Sequence, residues 1–117
     1  MNKIFETVIN AIEEKKGTDI STIEFKDKGY VADAFIIASG NNDKQTKAIA
    51  DFVEEEMEKK GEAVVRREGY QLGKWIILDY GFLMVHIFTP QEREYYDIER
   101  LWQESKRLMG MEKDDVQ

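Results

Sequence analysis

The stretch Trp75–Phe88 reads WIILDYGFLMVHIF and consists of two apolar runs that meet at DYGF, residues 79–82. Each run has the length of a β-strand, and a tyrosine–glycine pair between two such runs favours a tight hairpin. We therefore predict a hairpin with Tyr80-Gly81 as its two-residue loop. In this register Trp75 lies opposite His86.

Alternation along the two strands sorts the side chains of the hairpin onto two faces. The first face is purely aliphatic and is predicted to be core; it carries Ile76, Leu78, Leu83, Val85 and Ile87. The second face, called the mixed face below, carries Trp75, Ile77, Asp79, Met84, His86 and Phe88. An acid and an imidazole interrupt its apolar surface, so we expect the function to lie on the mixed face.

Length and composition indicate one mixed α/β domain. The chain has 117 residues, 42% of them hydrophobic and 35% charged, with a single proline. This length suits one core and is too short for two, and the composition does not favour disorder. We place the domain at residues 1–106. Residues 107–117 are polar and are expected to form a flexible tail.

The composition also narrows the function classes. The chain has no cysteine and one histidine, which excludes disulfides, thiolate metal sites and multi-histidine metal sites. Glu6 and the run Glu13–Lys16 interrupt the N-terminal apolar stretch, so we expect no signal peptide. No segment approaches the roughly 18 apolar residues that a membrane span needs, and we expect a cytoplasmic protein. A net charge of -7 argues against nucleic-acid binding and favours a basic protein partner.

Periodicity and turn residues predict the remaining elements. They are a helix over Lys3–Lys16, strands at Ile20–Phe25, Ala34–Ala38 and Ala63–Arg67, a helix from Asn42 to about Lys60, and a short helix after Pro90. Residues 34–38 are apolar on both faces and predict a central strand. Asn42 and Gln45 predict a capping-box variant, with Gln45 reaching back. Leu101 and Trp102 are expected to pack on the domain. This order predicts a mixed sheet flanked by helices.

Several segments carry a more specific signal together than each does alone. They are ADAFIIASG at 32–40, Gln45 with AIA at 48–50, Glu68-Gly69, WIILDYG at 75–81, VHIF at 85–88, EREYY at 92–96 and ERLW at 99–102. In this order they resemble the bacterial ribosomal silencing factors, the RsfS or Iojap family. The resemblance covers residues 5–102, nearly the whole predicted domain.

The resemblance implies a nucleotidyltransferase-like fold without catalysis, metal or cofactor. It implies that the chain binds ribosomal protein fourteen of the large subunit, obstructs joining of the small subunit and so represses translation. The mixed face and the short helix then supply the expected partner-binding residues, which are Trp75, Ile77, Asp79, Tyr80, Met84, His86, Phe88, Glu92, Tyr95 and Tyr96.

Three positions depart from the pattern of the family. Phe82 stands where the family usually has an acid, and we expect it to expose an aromatic ring at the turn. Thr89 stands where histidine is common, and Asn41-Asn42 replaces small hydroxyl residues. None of these changes removes a core element. With Phe82 at the turn, however, this chain has no carboxylate that could act at that position.

Individual residues of the mixed face admit a structural and a functional interpretation. Trp75 is either a core aromatic or an interface anchor. His86 is expected to be a partly exposed cross-strand partner of Trp75. Asp79 either caps the turn or belongs to the binding rim. Of Tyr95 and Tyr96, which are adjacent in a helix, we expect one in the core and one on the surface.

Two other functions remain open at this point. One is a metal-dependent nucleotidyltransferase-like enzyme, although Asp33 and Asp79 are single acids on separate segments rather than a pair on one strand. The other is a homodimeric structural module that uses the same apolar face for itself. The ribosome-binding hypothesis is distinguished from both by a pull-down with ribosomal subunits.

Overall fold

A computed structural model describes residues 3–25 and 32–102 of the chain. The elements in this part are α1 (Lys3–Glu14), β1 (Thr18–Glu24), β2 (Ala34–Ser39), α2 (Asp43–Lys59), β3 (Arg66–Glu68), β4 (Trp75–Asp79), β5 (Leu83–Phe88) and α3 (Pro90–Tyr96). Residues 98–102 are again helical. This order confirms the predicted one. The predicted tail at residues 107–117 lies outside the described residues.

The five strands form one sheet in the order β1-β2-β5-β4-β3. Strands β2 and β5 run parallel, and the other three neighbouring pairs are antiparallel, so the sheet is mixed as predicted. Strand β2 is buried along its whole length in an interior position. Strand β5 occupies the centre. At one edge, β3 has only three residues, all exposed, and starts later than the predicted strand at residue 63.

The predicted hairpin forms, but its loop lies one residue further along the chain. Asp79 pairs with Met84, and the Tyr80 amide donates to the Leu83 carbonyl at 2.8 Å, so the loop is Gly81-Phe82. Gly81 has φ +87°, in the left-handed region that a type II′ hairpin places at its first loop position. A tyrosine there would be strained, which explains why the loop predicted at Tyr80-Gly81 is wrong.

Moving the loop by one residue shifts the register by two, so the sorting into two faces survives. Trp75 lies opposite Phe88 and not opposite His86, whose cross-strand partner is Ile77. The aliphatic face is fully buried as predicted. Phe82 is half-buried against the core, which corrects the expectation of an exposed ring.

Each face of the sheet has its own apolar cluster. Helices α1 and α2 cover the aliphatic face and contribute Phe5, Val8, Ala11, Ile12, Ile49, Ala50, Val53 and Met57. The mixed face carries a second cluster, in which the sheet residues Phe35, Ile37 and Phe88 are covered by Phe25, Ala32 and Ile98, with Trp102 packed against them. Trp102 therefore packs on the domain as predicted, whereas Leu101 is exposed.

The start of α2 ties the two helices together. Asn42 is the N-cap, and its Oδ1 accepts from the Gln45 amide at 2.9 Å. The Gln45 side chain reaches back as predicted, with Oε1 accepting from the Asn41 amide at 2.6 Å. Its Nε2 donates to the Lys15 and Lys16 carbonyls at 3.0 and 3.1 Å, beyond the end of α1. The capping residue thus also fixes α2 against α1.

The two-faced arrangement predicts that Leu78→Ala strongly destabilises the domain. Leu78 is fully buried between the sheet and the helices, and such truncations cost about 2–5 kcal/mol of unfolding free energy. Val65→Ala is the control, since Val65 is exposed and its truncation should change stability by less than about 0.5 kcal/mol. Urea denaturation measures both, and equal midpoints for the two variants would contradict the assigned core.

A candidate partner-binding surface on the mixed face

The ten predicted binding residues fall into a surface group and a buried group. Trp75, Ile77, Asp79, Met84, Glu92, Tyr95 and Tyr96 are wholly or partly exposed. Tyr80, His86 and Phe88 are buried, which corrects their predicted place on the contact surface. They lie behind the surface, because the second apolar cluster and α2 cover side chains that the sequence pattern left uncovered.

Trp75 joins the core to the surface. Its ring stacks on Phe88 at 4.9 Å between centroids and contacts the ring of Tyr96 at 4.7 Å. Its Nε1 donates to His86 Nδ1 at 3.1 Å. Tyr95 packs edge-on against Tyr96 at 4.9 Å. Trp75, Tyr96 and Tyr95, called the aromatic ridge below, therefore form one continuous series of ring contacts.

Both tyrosines of the ridge are exposed, at 79% for Tyr95 and 45% for Tyr96. The expectation that one of them enters the core is wrong, because α3 spans only seven residues and none of its residues is buried. Trp75 itself is half-buried, so it contacts the core and also reaches the surface, and its role as an interface anchor stays a prediction.

His86 is a buried acceptor and not the partly exposed residue that we predicted. It is 4% exposed, and its ring lies 4.5 Å from that of Phe35. Because Nδ1 accepts from Trp75, the neutral ring carries its proton on Nε2. That atom is buried and has no hydrogen-bond partner among the described residues. Burial lowers the pKa of His86 to about 4. The imidazole is therefore neutral at pH 7 and orients the indole.

Tyr80 lies on the helix side of the sheet, within the main core. Burial raises the pKa of its hydroxyl, and the carboxylates of Glu54, Glu58 and Glu62 raise it further. The hydroxyl has no hydrogen-bond partner among residues 3–25 and 32–102. Tyr80 therefore packs beneath the hairpin within the core and is not part of the exposed surface.

A charged network holds α3 against the sheet. Arg93 donates to both carboxylate oxygens of Glu99 at 3.2 and 3.0 Å and to Ser39 Oγ at 2.9 Å. Ser21 donates to Glu99 at 2.6 Å. Burial alone would raise the pKa of Glu99, but the hydrogen bonds from Arg93 and Ser21 outweigh it and lower that pKa. The network fixes the helix that carries the two tyrosines.

Beside Trp75, the mixed face stays open as a shallow depression of about 50 Å³. Its floor is Ile77 and Met84, and its rim is Asp79 with Arg66 and Glu68 of the edge strand. Sequence reasoning missed the two β3 residues. The available signal was their spacing of two residues, which puts both side chains on the same face of β3. In the structure Arg66 lies opposite Asp79 and Glu68 opposite Ile77.

No group of three or more histidine, aspartate or glutamate side chains is arranged to hold a metal ion within residues 3–25 and 32–102. Asp33 and Asp79 stand on different segments, as the sequence shows. In the same part of the chain, no helix is long and apolar enough to span a membrane.

Comparison with known proteins gives one consistent family. The model of the family described as "Ribosomal silencing factor during starvation" matches residues 1–117. The ribosomal silencing factor of Bacillus subtilis is 35% identical over 99 residues, covering 85% of this chain and 84% of the relative. That of Halalkalibacterium halodurans is 34% identical over 100 residues, covering 86% of each. A mouse protein named for mitochondrial assembly of the ribosomal large subunit is 23% identical, and the match covers 44% of it.

A solved structure supports the fold. The crystal structure of a Chromobacterium violaceum protein superposes with a TM-score of 0.83 at 34% identity and covers 88% of both chains. The mixed sheet with flanking helices is thereby confirmed. Its likeness to nucleotidyltransferases stays a prediction.

The burial of His86 predicts a stability that depends on pH. The unfolded chain takes up a proton near pH 6.5, whereas the folded protein does so only near pH 4. Stability is therefore complete above pH 6.5 and is lost as the pH falls towards 4, by roughly 3 kcal/mol in total. The measurement is the unfolding free energy between pH 7 and pH 4.

The control is His86→Gln, which keeps an acceptor for Trp75 but does not titrate. The difference between wild type and this variant isolates the histidine from carboxylates that titrate in the same range. A wild-type curve parallel to that of the variant would show that His86 is not buried as a neutral ring.

Proposed function

The chain belongs to the family of ribosomal silencing factors, and we propose that it binds ribosomal protein fourteen of the large subunit. Bound there, it would obstruct joining of the small subunit and so repress translation, in the cytoplasm. This activity requires binding and steric exclusion and no turnover. The large-subunit wording in the name of the mouse relative supports the choice of that subunit.

The observation that carries the proposal is the aromatic ridge. Tyr95 and Tyr96 are exposed, and Trp75 connects them to the buried His86 and Phe88. Large aromatic side chains dominate binding energy at protein interfaces, especially when they are held in place before binding. A standard interface of about 800 Å² on each partner would extend over the ridge and the neighbouring depression.

The charge of the chain supports a basic partner. Its net charge is -7, and Asp79, Glu68 and Glu92 lie in or beside the proposed contact surface. We expect the ribosomal protein to be basic, so the two surfaces attract each other. Such complementarity mainly steers the encounter, whereas the aromatic contacts hold the complex.

We predict that Tyr95→Ala weakens binding to purified large subunits without lowering the melting temperature. Tyr95 is the most exposed ring of the ridge, so its truncation leaves the core intact. The expected loss is about 2 kcal/mol, or roughly thirtyfold in Kd. Leu72→Ala is the matched control, because Leu72 is also exposed but lies in the loop before β4. It should bind like wild type.

Trp75→Ala does not separate binding from stability, since it also unstacks Phe88 and removes the donor to His86. We expect this variant to lose both stability and binding. If Tyr95→Ala kept full affinity for large subunits but changed the oligomeric mass, the face would instead serve contacts between copies of this chain.

Salt should slow association more than it changes dissociation. Electrostatic steering of an acidic chain towards a basic partner is screened as the ionic strength rises. Surface plasmon resonance with immobilised large subunits separates the two rates between dilute and physiological buffer. An association rate that is the same in both buffers would remove the electrostatic part of the proposal.

A further inference from the structure

The depression beside Trp75 has a charged side chain of the domain itself, Arg66, on its rim. Arg66 points from the edge strand towards two carboxylates, with Nη2 at 3.5 Å from Asp79 Oδ2 and Nε at 3.6 Å from Glu68 Oε2. Both distances lie near the outer limit of an ion pair. The Arg66 side chain is 66% exposed, and exposed pairs of this kind contribute little to stability. Arg66 can therefore leave the rim at small cost.

Asp79, in contrast, is fixed. Its side chain is only 18% exposed, and its Oδ1 accepts from the Gly81 amide at 2.8 Å in the hairpin loop. The second oxygen, Oδ2, is directed towards Arg66. A carboxylate held in this way is a preorganised acceptor for a cation, since it loses little freedom when it binds one.

The floor completes a site for one long cationic side chain. Ile77 and Met84 are half-buried and apolar, which suits the aliphatic stem of an arginine whose charged head remains at the rim. With Arg66 in place, the depression leaves a space of only about 50 Å³, so an incoming cationic side chain would take the position of Arg66 rather than lie next to it. The position of Arg66 shows that a guanidinium fits between the carboxylates.

We propose that Arg66 occupies a cation site in the free protein and that an arginine side chain of the partner displaces it on binding. This inference rests on the proposed function, because it assumes a basic partner on the mixed face. It adds that the partner competes with Arg66 for the carboxylates of Asp79 and Glu68. Arg66 thus lowers the affinity of the complex and disfavours partners that offer no cation at this point.

The test is a titration of methyl-labelled protein with acetylated hexa-arginine, followed by NMR at the methyl groups of Ile77 and Met84. Wild type should show shifts at these methyls, and Arg66→Gln should bind about twofold to fivefold more tightly, the range expected for the loss of one exposed ion pair. Because Arg66 is exposed on an edge strand, the variant should melt like wild type.

Arg67→Gln is the matched control. It removes the same charge from the neighbouring position on the same strand, but Arg67 faces α2, where it pairs with Glu54 at 3.3 Å and Asp51 at 3.8 Å. It should not tighten binding at Ile77 and Met84. A second control is Asp79→Asn, which retains an oxygen for the Gly81 amide but removes the charge. In that background Arg66→Gln should tighten binding less than it does in wild type, because Glu68 is then the one carboxylate of the site that still pairs with Arg66.

Three outcomes would overturn the inference: no shift at either methyl, no tightening by Arg66→Gln, or equal tightening by Arg67→Gln. Repeating the comparison with purified large subunits separates it from the proposed function. If the peptide results hold but wild type does not bind subunits, only the proposed function fails. If subunits bind and Arg66→Gln does not tighten that binding, only the inference fails.

Discussion

The burial of strand β5 on both of its faces is the constraint on which the rest of the structure depends. It lies between a parallel and an antiparallel neighbour, and of its side chains only Met84 reaches the surface in part. One apolar layer therefore cannot complete the fold. Helices α1 and α2 cover the aliphatic face, and the segment from α3 to Trp102 must return to cover the other.

That second layer covers the mixed face only in part, and the proposed binding surface lies at its margin. Phe88 and His86 are covered, Trp75 lies at the boundary, and Ile77 remains half-exposed beside the short edge strand. A side chain at such a boundary is held by core contacts and still reaches solvent. This arrangement reduces the entropy that binding would cost, which favours recognition by a rigid surface.

Polar groups make the second layer possible. The C-terminal turns bring Arg93 and Glu99 to the sheet, and their charges are satisfied by each other and by the hydroxyls of Ser21 and Ser39. His86 accepts a hydrogen bond from Trp75, so the buried imidazole helps to hold the aromatic ridge in place. Because these groups are paired, closing the mixed face does not leave charges buried alone.

The amino-acid sequence by itself determined the order of the elements, the two faces of the hairpin, the N-cap of α2 and the family. These features depend on local spacing: period two in strands, turn residues and short ordered motifs. The loop was predicted one residue too early, but the two faces of the hairpin were still assigned correctly, because the register differs by two residues.

Only the tertiary structure decided which residues of the mixed face are accessible. Phe25, Phe35, Ile98 and Trp102 come from distant parts of the chain to cover it, and Arg66 reaches it from the edge strand. Exposure is set by contacts between residues far apart in sequence, and a local pattern contains no information about those contacts.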